Sequence, residues 1–197
     1  MGTVLTVGVI ADTHIPDRVR SLHPQVLPIF QELGVEMILH AGDICAAGVL
    51  DQLEKVAPVI AVRGNRDVLL RNQLPMTRRL ELGGVTLALM HGHGSMLRYV
   101  WDKWEYIKVG YRLERYEKTL FETIPDVQVV VFGHTHVPVN EIRAGKVLFN
   151  PGSAWHGALR SMPPTMGVLR ISEGGEVTGE LIILEGAKIV NGDWAPE

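Results

Sequence analysis

The chain has 197 residues, enough for one core of ordinary size, and its 46% hydrophobic and 21% charged composition excludes a largely disordered or fibrous protein. With 19 Lys and Arg against 22 Asp and Glu, the formal net charge of -3 provides no general field for holding a long polyanion. The single cysteine, Cys45, excludes an internal disulfide. The apolar start of the chain has no basic leader before it and is too short to span a bilayer, so a cytoplasmic protein with no membrane association is expected.

The first third alternates strand and helix patterns. Val4 to Ile10 is an apolar, β-branched run of the buried-strand type, followed by a polar loop from Ala11 to Arg18. A helix is expected within Leu22 to Leu33, ended by Gly34, with Pro28 disturbing its first half. Glu36 to His40 reads as a second strand, Ala46 to Val56 as a second helix and Val59 to Val62 as a third strand. After Pro75 the pattern changes to adjacent strands, Arg78 to Leu82 and Val85 to Met90, joined at Gly83-Gly84 as a tight hairpin.

Met96 to Thr123 lacks Pro and carries Trp101, Trp104, Ile107, Tyr111, Leu113 and Leu120, a spacing that predicts helix with an aromatic face. This insertion would supply core or interface, pack over a site, or stack on substrate. Val127 to Phe132 reads as an apolar strand. Beyond it Val137 to Arg143, Lys146 to Asn150, Gly167 to Ile171 and Glu180 to Leu184 read as short strands, and Asn191 to Glu197 as a loose tail. The whole chain is read as one domain.

Polar chemistry gathers where strands end. Asp12 and His14, Asp43, Asn65, His91 and His93, and His134 and His136 each lie just beyond a predicted strand. In sheets with parallel strands, ligands collect at the carboxyl ends, so these loops would converge. Imidazole, carboxylate and amide oxygen form a donor set for divalent Mn, Fe, Ni or Zn. Asp12-x-His14 and His134-x-His136 would each direct two donors the same way if extended. Seven candidate donors (Asp12, His14, Asp43, Asn65, His91, His134, His136) exceed the needs of one ion. A pair of ions about 3.5–4 Å apart would hold a bridging hydroxide and stabilise an in-line displacement at phosphorus.

Other roles compete for single residues. Asp43 would otherwise cap a helix and Asp12 close an Asx-turn. His40 fits a satisfied buried histidine, His23 a surface position and Cys45 a small core residue. Asp67 would fix the tautomer of a ligand histidine or cap the turn after it. His156 is open between pocket and surface.

The ordered series Asp12-x-His14, Gly42-Asp43, Gly64-Asn65-Arg66-Asp67, His91-Gly92-His93 and Gly133-His134-Thr135-His136 resembles the calcineurin-like metallophosphoesterase family. With Asn150-Pro151-Gly152-Ser153, the short chain is similar to the family's compact bacterial and archaeal phosphodiesterase branch, which is related to the retromer-type scaffold proteins. The resemblance implies a four-layer αββα sandwich, two mixed sheets flanked by helices. It also implies a first ion on Asp12, His14 and His136, a second on Asn65, His91 and His134, and Asp43 between them.

Many members carry His after Gly-Asn where this chain has Arg66, which stays protonated and would grip a phosphate oxygen rather than give up a proton. His93, His156 or water would then protonate the leaving group, so His93 and Arg66 are the candidate catalytic residues. The activity this implies is a phosphodiesterase on a small phosphoester or nucleotide. The alternatives are a phosphomonoesterase, a carbon-ester hydrolase at the same ions, and a non-catalytic scaffold that binds protein partners. A homodimer is a further expectation.

Overall fold

Two five-stranded sheets stack face to face in the computed structural model, which describes residues 4–94, 110, 112–159 and 162–197. The first contains β1 (Val4–Ile10), β2 (Met37–His40), β3 (Val59–Ala61), β9 (Thr165–Ser172) and β10 (Val177–Ile183), in the order β10-β9-β1-β2-β3. The second contains β4 (Thr77–Leu82), β5 (Val85–Met90), β6 (Val129–Val131), β7 (Val139–Arg143) and β8 (Lys146–Asn150), in the order β4-β5-β6-β8-β7. The strands β1, β2 and β3 run parallel in one sheet, as do β5, β6 and β8 in the other, and the remaining pairings are antiparallel. Both sheets are therefore mixed.

Strand alternation explains the layers. Val129 and Val131 face the other sheet, with Val7, Val9, Leu39, Leu87, Leu89, Phe149 and Leu169 in the same central cluster. Val130 and Phe132 point outward and pack with Tyr116 and Leu120 of helix α3 (Glu114–Thr123). On the opposite outer face, Ile10, Ile38 and Val168 meet Val26 and Phe30 of α1 (Val26–Glu32) and Val49 and Leu53 of α2 (Gly48–Leu53). A continuous apolar run such as Val129 to Phe132 is thus buried on both faces, each large side chain contributing about 1.5–3 kcal/mol.

The α1 helix begins at Val26, so Pro28 falls in its first turn, where a missing backbone N–H leaves no helical bond unmade. The predicted Met96-to-Thr123 helix is described only over Glu114–Thr123, and Trp101, Trp104, Ile107 and Tyr111 lie outside the described residues. The expected loose tail is corrected. β11 (Ala187–Val190) and β12 (Asp193–Pro196) form an antiparallel hairpin. Trp194 anchors it, its indole N–H donating to the Ser21 carbonyl at 2.9 Å and its ring 4.6 Å from that of His23. The same packing buries His23, which had read as a surface residue.

Candidate metal centre

The carboxyl ends of β1, β2, β3, β5 and β6 open into the loops that carry the polar residues. Loop is joined to loop by backbone bonds: Asp12 N–H donates to Gly42 O at 2.9 Å, His14 N–H to Asp43 O at 3.0 Å, and Gly133 N–H to His91 O at 3.2 Å. Asp12, His14, Asp43, His134 and His136 all have positive φ, between 51° and 72°. This corrects the extended reading of the two D-x-H and H-x-H pairs. Each donor is aimed by a left-handed kink, a costly conformation that persists because the surrounding loops hold it.

Asp12, His14 and His136 form one group whose ligand atoms lie within 4.8 Å of one another; Asp12, Asp43 and His91 form a second. Asp12 belongs to both. Its Oδ2 accepts the His134 N–H at 2.9 Å, whereas Oδ1 is buried with no hydrogen-bond partner. That Oδ1 lies 3.4 Å from His136 Nε2, 3.8 Å from His14 Nε2 and 4.0 Å from His91 Nε2. Asp43 turns one oxygen to each group, Oδ1 at 3.5 Å from His91 Nε2 and Oδ2 at 3.9 Å from His14 Nε2. Asn65 Oδ1 is 3.2 Å from His91 Nε2. The His134 ring stands beside His91 at 5.1 Å and outside the two groups.

Partners on the far side of the rings settle which nitrogen faces inward. His91 Nδ1–H donates to Ala41 O at 2.8 Å and His136 Nδ1–H to His156 O at 3.1 Å, so Nε2 is the nitrogen each ring turns toward the carboxylates and, in the neutral ring, the one that bears the lone pair. His14 Nε2 and His136 Nε2 approach to 3.1 Å. Convergent lone pairs and an unpartnered carboxylate oxygen, all buried, fit divalent cations. The fit is chemical as well as geometric, since nitrogen and oxygen donors of this kind suit transition ions.

Charge and burial oppose each other here. Burial raises the Asp12 carboxyl, but His136, His91 and His14 together hold it below the usual range. Burial pushes Asp43 up to about 6 against the pull of His91. Burial also takes His14 down to about 4 and His134 to about 3. His91 and His136 go the other way, their burial outweighed by Asp43 and Asp12 for the first and by Asp12 for the second. Such a cluster divides its protons among buried carboxylates and imidazoles, a demand that cations would remove.

Asp67, Asn150 and Ser153 stand in motifs legible in the sequence, but the fold assigns them framework roles that the motifs do not specify. Asp67 neither caps its turn nor touches a ligand ring. Its Oδ2 accepts from Asp43 N–H at 2.9 Å and Gly64 N–H at 2.7 Å, and its Oδ1 from Cys45 N–H at 2.6 Å. The β2 and β3 loops are thereby stapled together. Asn150 holds the Gly133 carbonyl at 2.9 Å, and Ser153 Oγ donates to Asp12 O at 2.9 Å. At Gly42 (φ +91°) a Cβ would stand 2.7 Å from His91 Nδ1, and at Gly64 it would overlap Asp43 Oδ1, so only glycine admits these approaches.

The remaining candidates separate clearly. His40 is a satisfied core histidine: Nδ1 accepts Gly42 N–H at 3.2 Å, so Nε2–H faces Thr13 Oγ1, also at 3.2 Å. Cys45 is buried, and burial pushes its thiol up to about 12. His93 is buried, its ring 5.3 Å from that of His91, and burial brings it down to about 4. The Arg66 guanidinium pairs with Asp17 at 2.6 Å on the rim, while its backbone N–H donates to Asp43 Oδ1 at 2.8 Å. His156 lies half-buried, its ring 3.8 Å from that of Trp155.

A fold of two mixed sheets whose strand ends carry this donor set defines a metallophosphoesterase. Residues 5–174 match the calcineurin-like phosphoesterase superfamily domain, and the chain belongs to that family. A probable metallophosphoesterase of Methanothermobacter thermautotrophicus is 34% identical over 191 residues, covering 94% of this chain and 95% of the relative. A phosphodiesterase of Methanocaldococcus jannaschii is 27% identical over 179 residues, 84% of this chain and 92% of its own. Among solved structures, Vps29 from Entamoeba histolytica complexed with zinc superposes with a TM-score of 0.63 at 25% identity, covering 92% of this chain and all of that one (100%). Among the described residues no helix is long and apolar enough to cross a membrane.

Proposed function

We propose that the chain is a phosphodiesterase for small phosphodiester or nucleotide substrates, working with two divalent cations, manganese first and iron, nickel or zinc as alternatives. The observation that carries this reading is Asp12, one buried carboxylate common to two donor groups and with one oxygen unpartnered. Asp12, His14 and His136 would hold one ion, Asn65, His91 and His134 the other, and Asp43 would contribute to both. When bound, the ions supply an acidified water as nucleophile and neutralise the phosphate oxygens.

The protein's own groups set the geometry. The Ala41 and His156 carbonyls hold the His91 and His136 rings, and the Arg66 amide holds Asp43 Oδ1. His93, kept neutral at pH 7, donates a hydrogen bond to a phosphate oxygen or leaving group rather than delivering the proton of an imidazolium. The Arg66 guanidinium holds Asp17 through Nε and Nη2, which leaves the Nη1 donors to grip a phosphate oxygen. Buried, unpaired Cys45 favours a reducing, cytoplasmic setting.

The test is hydrolysis of bis-p-nitrophenyl phosphate by metal-stripped protein with and without added Mn²⁺, alongside p-nitrophenyl phosphate. Metal-restored cleavage that favours the diester supports the proposal. Preference for the monoester makes the protein a phosphatase, and no turnover of either despite bound metal points to the scaffold or to an enzyme selective for other esters.

A further inference from the structure

A groove of about 1020 Å³ runs from the edge of the metal centre along the terminal hairpin, and the centre's chemistry as described makes no use of it. Its inner end is Trp155, whose ring lies edge-on to His14 at 5.6 Å and to His136 at 6.1 Å. His156 stacks on Trp155 with ring centroids 3.8 Å apart, Trp194 adds a second indole to the lining, and Arg18 and Lys188 add positive charge. We infer that this groove is a nucleoside-binding subsite, so that the substrate is a phosphodiester with a nucleobase on one of its esterified groups. The inference rests on the phosphodiesterase reading and specifies its substrate.

Position is the first argument. A phosphate at the donors that His14 and His136 supply would direct one ester group over the adjacent indole, because the two ligand rings are themselves packed on Trp155. The chemistry of the lining is the second. Flat aromatic surface beside a guanidinium is what a base uses for stacking and cation–π contact, independently of base identity. Arg18 stands 5.5 Å from the Trp155 centroid, is exposed, and makes no ion pair among the described residues, so it can swing to cover a base on this surface. Glu185 and Glu197, also on the lining, offer carboxylates to ring and exocyclic N–H groups. Size is the third: the volume is at the upper end of small-ligand sites, roughly 300–1,000 Å³, and holds a nucleotide with room for a second group.

The groove is also built rather than incidental. Its wall is the β11–β12 hairpin, bound to the loop after His14 by the Arg20–Asp193 ion pair, by Arg20 N–H to Gly192 O at 2.9 Å and by the Trp194–Ser21 bond. The loop that supplies Asp12 and His14 therefore also supports the far wall. Arg18 belongs to that loop, its N–H donating to His14 O at 2.8 Å.

Two measurements test this on the full chain. In the first, Mn²⁺-loaded protein is assayed with the p-nitrophenyl ester of thymidine 5′-monophosphate and with methyl p-nitrophenyl phosphate, which share a leaving group and differ in the retained one. The wild type should prefer the thymidine ester in kcat/KM, and the preference should fall about tenfold in Trp155→Leu, the loss of one base stack. Arg18→Ala, an exposed position that does not threaten folding, should lower it severalfold.

In the second, the indole N–H resonances of metal-stripped protein are followed by NMR. Adenosine 5′-monophosphate should shift the resonance that disappears in Trp155→Leu, and inorganic phosphate should not. An unchanged ester preference in both variants, or equal shifts with nucleotide and phosphate, overturns the inference. If neither ester is cleaved but the nucleotide shift is seen, the phosphodiesterase reading fails while the nucleotide groove stands.

Discussion

Replacing Asp67 by Asn isolates the staple that positions half of the metal centre. The carboxylate accepts three backbone N–H bonds, from Asp43 and Gly64 on Oδ2 and from Cys45 on Oδ1, at 2.6–2.9 Å. An amide has one acceptor oxygen. Its best orientation keeps Asp43 and Gly64 and turns an NH₂ against the buried Cys45 N–H. That loses one charge-assisted bond, about 1.5–3 kcal/mol. The other two change from charged to neutral acceptors and weaken by roughly half. Loss of the charge eases ionisation of Asp43, whose carboxyl Asp67 helps raise, and offsets part of the cost. The net destabilisation is about 3–5 kcal/mol, which at about 2–4 °C per kcal/mol for a chain of this size lowers Tm by roughly 6–20 °C. Far-UV circular dichroism of the metal-free variant measures it, and calorimetric titration with Mn²⁺ should show weaker binding, since the Asp43 loop is released. A Tm shift below about 2 °C with unaltered Mn²⁺ affinity would show that the staple has no such role.

Asp12→Asn should lower bound metal from about two ions per chain to fewer than one, because the amide's single oxygen stays with the His134 N–H and an NH₂ takes the place of Oδ1 between the two donor groups; elemental analysis after dialysis reads this directly. Gly64→Ala drives a Cβ into Asp43 Oδ1 and should reduce kcat on the order of 100-fold while the far-UV spectrum is retained. Arg66→Ala removes an ion pair whose partners are 37% and 41% exposed, so Tm should move by no more than a degree or two. A fall in kcat for that variant would then report contact with substrate. His40, at about 4 through burial, binds its proton less readily folded than unfolded. Its contribution is complete above about pH 6.5 and is lost as pH falls through 6.5 towards 4. In urea titrations of metal-free protein, His40→Asn should therefore flatten that part of the acid limb, and an unchanged slope would exclude His40 as a source of it.

Sequence pattern alone carried far at the level of single elements. Val4–Ile10 and Val85–Met90 were legible to the residue, because continuous apolar runs between polar loops have few other stable arrangements. The hairpin at the C-terminus was not: Trp194 and Ile189 lie in a segment rich in Gly, Asp and Glu, and they are partly buried only by packing on a cluster built mainly from the first half of the chain. His23 was misjudged for the same reason, since the group that buries it is 171 residues away in the chain.

The donor residues were recognisable because each immediately follows a strand, and topology alone makes parallel strand ends neighbours. Their manner of convergence was not recognisable. Positive φ at Asp12, His14, Asp43, His134 and His136 is imposed by loops bonding to one another, as are Asp67 under two loops and Asn150 and Ser153 beneath the Asp12 and Gly133 turns. Residue identity thus determined which chemistry the chain can support, because imidazole and carboxylate have fixed donor properties. Tertiary structure decided which oxygens stay unpartnered, which nitrogens point inward and that an aromatic groove adjoins them, because hydrogen bonds between segments distant in sequence exist only once the sheets are stacked.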